Sequence, residues 1–217
     1  MQPVRGALPR VVVPIALTWL LALARLAGEL ADGPAWLFST ASGGGTALVG
    51  VLWLVPVFGV WFAASLVRAG SGPKDRLRAI CLHLLAAAIY VGGFQLAGRV
   101  DGSTHAGIAT QILCMGGVAV VAGAVAYAAW PGLAAVNLLY GLGVRAATAA
   151  ITVVAVLAAW GTHFEKLGPR DYAAMPRGEV AAWLAFTQIA FWVPFTVVGG
   201  GLFGSLSSLA MRKHRSG

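Results

Sequence analysis

Charged side chains are scarce in this sequence, and acidic ones are the scarcest. Of 217 residues only 10% are charged, with 7 Asp and Glu against 15 Lys and Arg. A soluble domain averages about 25% charged residues, so too few remain here to cover a water-facing surface. Hydrophobic residues make up 59% of the chain, and the mean hydropathy is +0.83. This composition argues against a soluble domain and favours an integral membrane protein.

Several motifs of catalytic and nucleic-acid-binding proteins are also missing. The sequence has no His-Glu-x-x-His, no Gly-x-Ser-x-Gly, and no phosphate loop or dinucleotide fingerprint in a suitable context. Cys81 and Cys114 fall at different depths of separate apolar runs, so we expect free thiols rather than a disulfide. The net charge of +8 forms no basic stripe, because the basic residues cluster at the ends of apolar runs. We predict no nucleic-acid partner, and the sequence identifies no cofactor.

Six apolar runs are long enough to cross a bilayer, since a spanning helix needs about 20 residues. They predict an all-α, polytopic bundle of about six transmembrane helices that forms a single membrane domain over residues 1–217. The predicted spans are 11–30, 46–67, 79–97, 108–130, 144–160 and 180–208, and the fifth has an alternative start near residue 133. Residues 161–179 are predicted to be the longest external loop.

The basic residues predict the orientation of these spans. With the N-terminus inside and six crossings, ten basic residues and one acid fall inside, against five basic residues and six acids outside. Lys and Arg in short loops favour the cytoplasmic side. We therefore expect both termini in the cytoplasm, and a multi-pass protein of a bacterial-type inner (plasma) membrane. The ten basic residues are Arg5, Arg10, Arg68, Lys74, Arg76, Arg78, Arg145, Arg212, Lys213 and Arg215.

Arg145 is ambiguous, because its depth depends on where the fifth helix begins. A start at 144 places it at the inner interface with its charge solvated, and we favour this position because the charge count agrees with it. A start near 133 places it near the membrane midplane, at a cost of about 2.5–3.5 kcal/mol. Asn137 and Gln111 would then be its partners, and the buried arginine would be a candidate anion-binding residue.

Pro56 and Pro194 are predicted to kink the second and sixth helices. A proline inside a helix removes one hydrogen bond and frees the carbonyl four residues earlier. Such carbonyls coordinate ions in some transporters. Gln188, close to Pro194 in sequence, can also satisfy the freed backbone without any ligand. The two prolines and Gln188 are therefore candidate binding residues, with ordinary kinks as the simpler interpretation.

Histidines and carboxylates offer few further sites. His163 and Glu165 form a candidate acid–base or cation-binding pair in the outer loop, although a hydrated loop is the simpler interpretation. His83, about one turn inside the third helix, is a candidate metal or haem ligand, but no second histidine falls at comparable depth. Arg25 and Glu29, four residues apart at the outer end of the first span, are expected to pair.

Glycines at regular spacing predict close helix packing. Gly200 and Gly204 are four residues apart in the sixth span, and Gly116 and Gly123 are seven apart in the fourth. Small residues at such spacing let membrane helices approach closely. We expect these faces to serve packing.

These features favour a non-catalytic membrane subunit or scaffold, in contact with lipid and with another membrane protein or a second copy. The absence of carboxylates from the interior of the predicted spans argues against a proton relay. One alternative is a small-solute or ion transporter with a site near Pro56 and Pro194. Another is a membrane enzyme that uses His163 and Glu165, although we favour a function without enzymatic activity.

Overall fold

A computed structural model describes residues 8–42, 47–100, 105–166 and 175–211. Within these ranges the chain is helical and contains no strand, which confirms the predicted all-α class. A short 3₁₀ helix covers His163–Glu165. The α-helices are α1 (Leu8–Leu30), α2 (Leu54–Arg68), α3 (Arg76–Ala97), α4 (His105–Ala129), α5 (Pro131–Ala158), α6 (Arg177–Ala190) and α7 (Trp192–Ser208).

Five segments of the described chain are long and apolar enough to cross a membrane. They are α1, α3, most of α4, α5, and the joined pair α6–α7. For α1, α3, α4 and α6–α7, the ends lie within three residues of the predicted spans. α2 is apolar but has only 15 residues, which reach about 22 Å, short of a hydrocarbon core of about 30 Å.

The predicted start of the second span is wrong. Residues 47–53 are not helical, and α2 begins at Leu54. Pro56 is therefore in the first turn, where a missing N–H breaks no intrahelical hydrogen bond. The carbonyl of Leu52, which a kink would have freed, accepts the backbone N–H of Val55 at 3.2 Å. Pro56 helps to begin the helix and does not kink it.

The favoured start of the fifth span at 144 is also wrong. α5 begins at Pro131 and runs without interruption to Ala158, which agrees with the alternative start near 133. Proline suits the first helical position because its N–H would have no partner there. Trp130, in extended conformation just before it, donates its indole N–H to the carbonyl of Ser71 at 3.0 Å.

α7 is central in the bundle, and α2 packs against it through glycines. A side chain added at Gly59 of α2 would collide with the backbone of Gly200, and one at Gly204 would lie 2.7 Å from the carbonyl oxygen of Gly59. The two backbones therefore touch, which confirms the predicted packing role of Gly200 and Gly204. Gly116 and Gly123 of α4 differ, because nothing lies within 4 Å of an added side chain.

Aromatic rings pack between several neighbouring helices of the bundle. Phe58 and Phe62 of α2 pack edge-on against Tyr140 of α5, with ring centroids 5.3 and 5.5 Å apart. Tyr90 of α3 packs against Phe191, the residue that separates α6 from α7, with centroids 5.6 Å apart. These contacts join α2 to α5, and α3 to the junction of α6 and α7, close to the polar residues described next.

Candidate functional site

Arg145 lies midway along α5 and is buried, with 5% of its surface exposed. Its Nη1 donates to Oε1 of Gln188 at 3.2 Å. Its guanidinium carbon lies 4.7 Å from the centroid of the Trp192 ring. Gln188 is in the last turn of α6 and Trp192 begins α7, so Arg145 faces the break between these helices. The interfacial position of Arg145 was predicted from a helix start at 144, and that start is wrong because residues 131–144 belong to the same helix.

The positive charge of Arg145 has no ion-pair partner within the described ranges. A guanidinium stays protonated and carries five N–H donors, and the glutamine side chain accepts from one of them. Two nearby hydroxyl groups are already engaged. Tyr90 donates to the carbonyl of Phe191 at 2.6 Å, and Tyr140 shares a hydrogen bond of 2.9 Å with Thr18. Arg145 is thus a buried cation with spare donors.

Asn137 and Gln111, the predicted partners of Arg145, lie elsewhere. Asn137 donates from Nδ2 to the backbone one turn earlier in α5 at 3.1 Å, and its Oδ1 rests against Gly200. Gln111 reaches a carbonyl at the end of α3 at 3.5 Å. Gln188 is the candidate that the fold brings to Arg145, a pairing that sequence spacing did not suggest.

Pro194 and Pro56 are not equivalent. Pro194 follows the break at Phe191, and its missing N–H leaves the carbonyl of Ala190 without its usual helical donor. The carbonyl of Phe191 accepts both a backbone N–H of α7 at 3.1 Å and the hydroxyl of Tyr90 at 2.6 Å. A site made of two matching kinks is therefore not formed, and a binding role for Pro194 alone stays a prediction.

An apolar groove of about 240 Å³ lies beside Pro194. It is formed by α4, α5 and α7, and its wall includes Gly123, Tyr127 and Leu138. Its lining is mostly carbon, so it suits an aliphatic or aromatic side chain or a lipid tail better than a polar solute.

His83 is completely buried between α3 and α7. Its Nδ1 lies 2.9 Å from the carbonyl of Ala79 and 3.0 Å from Oγ of Ser205. Because a carbonyl can only accept, Nδ1 carries the proton and donates to Ala79. The opposite ring edge packs against Gly201. Over the ranges that the structure describes, no three His, Cys, Asp or Glu side chains are grouped to hold a metal, so metal binding at His83 has no support from neighbouring ligands.

Glu29, at the C-terminal end of α1, is the centre of a buried polar cluster. Its carboxylate accepts from Nε of Arg25 at 2.7 Å and from the backbone N–H of His163 at 2.8 Å. Nδ1 of His163 lies 2.5 Å from the same carboxylate. Arg25 also donates to the carbonyl of Ser39 at 2.7 Å. The predicted Arg25–Glu29 pair is confirmed, and the cluster ties α1 to two loops.

His163 and Glu165 do not form the predicted pair. The Glu165 carboxylate accepts the backbone N–H of Thr162 at 3.1 Å, within a capping box on the 3₁₀ helix. His163 instead faces Glu29. Burial lowers the pKa of His163 below its ordinary value of 6.5, an effect that the neighbouring Glu29 only partly opposes. His163 is therefore neutral at pH 7.

A polar cavity of about 400 Å³ opens beside this cluster. Its wall includes Glu29, Asp32, Ser39, Thr40 and Lys166. The wall does not include the His163 side chain, so the geometry offers no imidazole to a molecule bound there. The arrangement suits loop anchoring more than acid–base catalysis.

Comparisons with known proteins add no assignment: no family model matches the chain, and neither the curated proteins nor the solved structures give a significant match. The functional interpretation therefore rests on the geometry of the described residues. Two features remain to be explained, the unneutralised Arg145 and the exposed surface of α4.

Proposed function

We propose that this chain is a non-catalytic subunit or scaffold of a bacterial-type inner membrane, and that it packs against another membrane protein through α4. The exposure of α4 carries the proposal. Of the five candidate spans it is the least covered by the rest of the chain, with 11% of its apolar stretch buried. Leu113 and Val120 project from it with 76% and 72% of their surface exposed.

The glycines of α4 supply the second argument. Gly116, Gly117 and Gly123 have nothing within 4 Å of an added side chain, although α2 and α7 use their glycines for backbone contact. Glycines at membrane helix interfaces let a neighbouring helix approach closely, because no Cβ intervenes. Gly123 also lines the apolar groove beside α4, which gives a partner side chain a recess to enter.

The polar side chains favour a non-catalytic role. Glu29, Arg25 and His163 bind one another and nearby backbone, and Glu165 caps a 3₁₀ helix. These contacts occupy the side chains of His163 and Glu165, which a membrane enzyme would need for catalysis. That alternative is therefore the least supported of the three.

The proposal includes six crossings with both termini in the cytoplasm. It requires α2 to cross despite its 15 residues and α6–α7 to cross as one kinked helix. With Arg145 buried, the charge count becomes nine basic residues inside against five outside. The excess still favours this orientation.

Co-purification in a mild detergent tests the proposal. The native chain is expected to travel with a second membrane protein, and Gly117→Leu to lose it because the new side chain blocks close approach. Gly92→Leu is the matched control, because Gly92 of α3 is equally open but on another helix. A chain that runs as a lone monomer, or a partner that both variants retain, would contradict the proposal; a homodimer would identify the partner as a second copy.

Transport of a small solute or ion is a second candidate, favoured by the buried Arg145 beside the break at Phe191. Discontinuous helices with polar groups at mid-depth are common in secondary transporters. Single cysteines at Val193, Val197 and Gly141 would be labelled by a water-soluble maleimide if water reaches this region. Uniform protection at the three positions would exclude a transport path along α7.

A further inference from the structure

We infer that Arg145, Gln188 and Trp192 form a binding site for one weakly hydrated monovalent anion of halide size. The inference goes beyond the subunit proposal and does not depend on it. A bound anion requires neither a partner protein nor a transport path.

Charge balance is the first argument. Arg145 lies at the middle of a 28-residue apolar helix and is 5% exposed. An ionised side chain at such depth in a membrane normally faces a partner or a water-filled space. The buried carboxylate of Glu29 is already bound by Arg25 and His163. No other ion pair among the described residues involves the interior of α5, so the positive charge has no counter-ion among them and an anion from solution can balance it.

Hydrogen-bond capacity is the second argument. Of the five N–H donors of a guanidinium, one binds Gln188 at 3.2 Å, and Arg145 forms no second hydrogen bond with the described residues. The hydroxyl of Tyr90 donates to the carbonyl of Phe191 and is not hydrogen-bonded to Arg145. A ligand that only accepts hydrogen bonds therefore matches the unused donors. An anion does so and also supplies the missing charge.

The surroundings define the class of anion. One positive charge calls for one negative charge, so a divalent sulfate or phosphate would leave an excess. Neither of the two cavities described above is lined by Arg145, which favours a single atom over a polyatomic group. Trp192 covers one side of the guanidinium at 4.7 Å, and this apolar wall favours an anion that loses its hydration shell at low cost.

Tryptophan fluorescence provides a direct test, because iodide quenches an indole that it contacts. The full chain, purified in detergent and in halide-free gluconate buffer, is titrated with sodium iodide at constant ionic strength. We expect a saturating component of quenching above the linear response of the exposed tryptophans. Trp192→Phe should abolish the saturating component, and Trp183→Phe, on α6, should retain it.

Gln188→Glu tests the charge argument while preserving the fold. The substitution places a carboxylate within reach of the guanidinium and so supplies an internal counter-ion. The saturating component should then disappear, as it should in Arg145→Gln if that variant folds. A purely linear titration of the native chain, or a saturating component that survives Gln188→Glu, would overturn the inference and leave Arg145 solvated by water or by the helix break alone.

Discussion

Glu29 shows how one buried carboxylate can organise one end of a helical bundle. Its side chain is fully covered and contacts Arg25 and His163. Only half of this arrangement follows from the sequence. The Arg25–Glu29 spacing of four residues predicts a pair on one helix face, but His163 is 134 residues away, and no local pattern connects the two.

At the residue scale, Glu29→Gln should destabilise the chain by about 3–5 kcal/mol, because it leaves the Arg25 charge buried without its counter-ion. The thermal unfolding midpoint in detergent measures the effect. Glu179→Gln, at an exposed position in the first turn of α6, is the matched control and should change little. Equal midpoints for the two variants would show that the cluster does not stabilise the fold.

The pKa of His163 predicts a pH dependence of stability. Burial holds this pKa below 6.5 in the folded chain, with Arg25 and Lys166 also opposing protonation and Glu29 favouring it. The unfolded chain therefore takes up a proton first as the pH falls below 6.5, and stability decreases from there down to the folded-state pKa. The unfolding midpoint of the native chain should fall more steeply between pH 7 and pH 5 than that of His163→Gln; parallel curves would exclude the effect.

At the scale of secondary-structure elements, the positions of prolines show which helix boundaries could be predicted from the sequence and which could not. Three prolines, Pro56, Pro131 and Pro194, are each in the first turn of a helix. Proline in a first turn breaks no hydrogen bond, whereas the same residue deeper in a helix does. The apolar run around Pro56 is compatible with a proline in the first turn of a helix and with a proline in the middle of a span. Hydropathy does not distinguish the two, because it does not mark where a helix begins. The predicted start of the α2 span failed for this reason. The favoured start of the fifth span failed for a different one, because it followed the charge count, which does not mark where α5 begins.

Glycine contacts give a prediction for α2 and α7. Gly59→Ala should destabilise the chain by about 1–3 kcal/mol, because the added methyl group meets the backbone of Gly200. Gly116→Ala, with open space around the added methyl, should be neutral or stabilising by up to about 1 kcal/mol. Denaturation in detergent followed by circular dichroism distinguishes them. The reverse order of stabilities would show that α2 and α7 do not touch as described.

At the scale of the whole molecule, composition was sufficient to predict the helical class and the presence of the five candidate spans. Long apolar runs satisfy the backbone only as helices when water is absent, so length and hydropathy predict them well. The positions of polar residues along the bundle were harder to predict, because they depend on helix boundaries and on contacts between distant segments. Arg145 and Gln188 illustrate this, since 43 residues separate them.

Orientation can be measured with single cysteines on the two sides. In a variant that lacks Cys81 and Cys114, a membrane-impermeant maleimide should label Lys166→Cys in intact cells. Lys74→Cys should react only after the membrane is opened, because the basic excess predicts that it faces the cytoplasm. Labelling of both positions from outside would contradict an even number of crossings with inner termini.

The brevity of α2 has a consequence for the lipids around it. Its length of about 22 Å falls roughly 8 Å short of an average hydrocarbon core, and the exposed Trp53 lies immediately before its first residue. An indole ring prefers the headgroup level, so if α2 crosses, the leaflet next to Trp53 would dip towards it and thin locally. Such local thinning strains a thick bilayer more than a thin one. Short-chain phospholipids should therefore accumulate beside α2, and the protein should be drawn to thinner regions of its membrane.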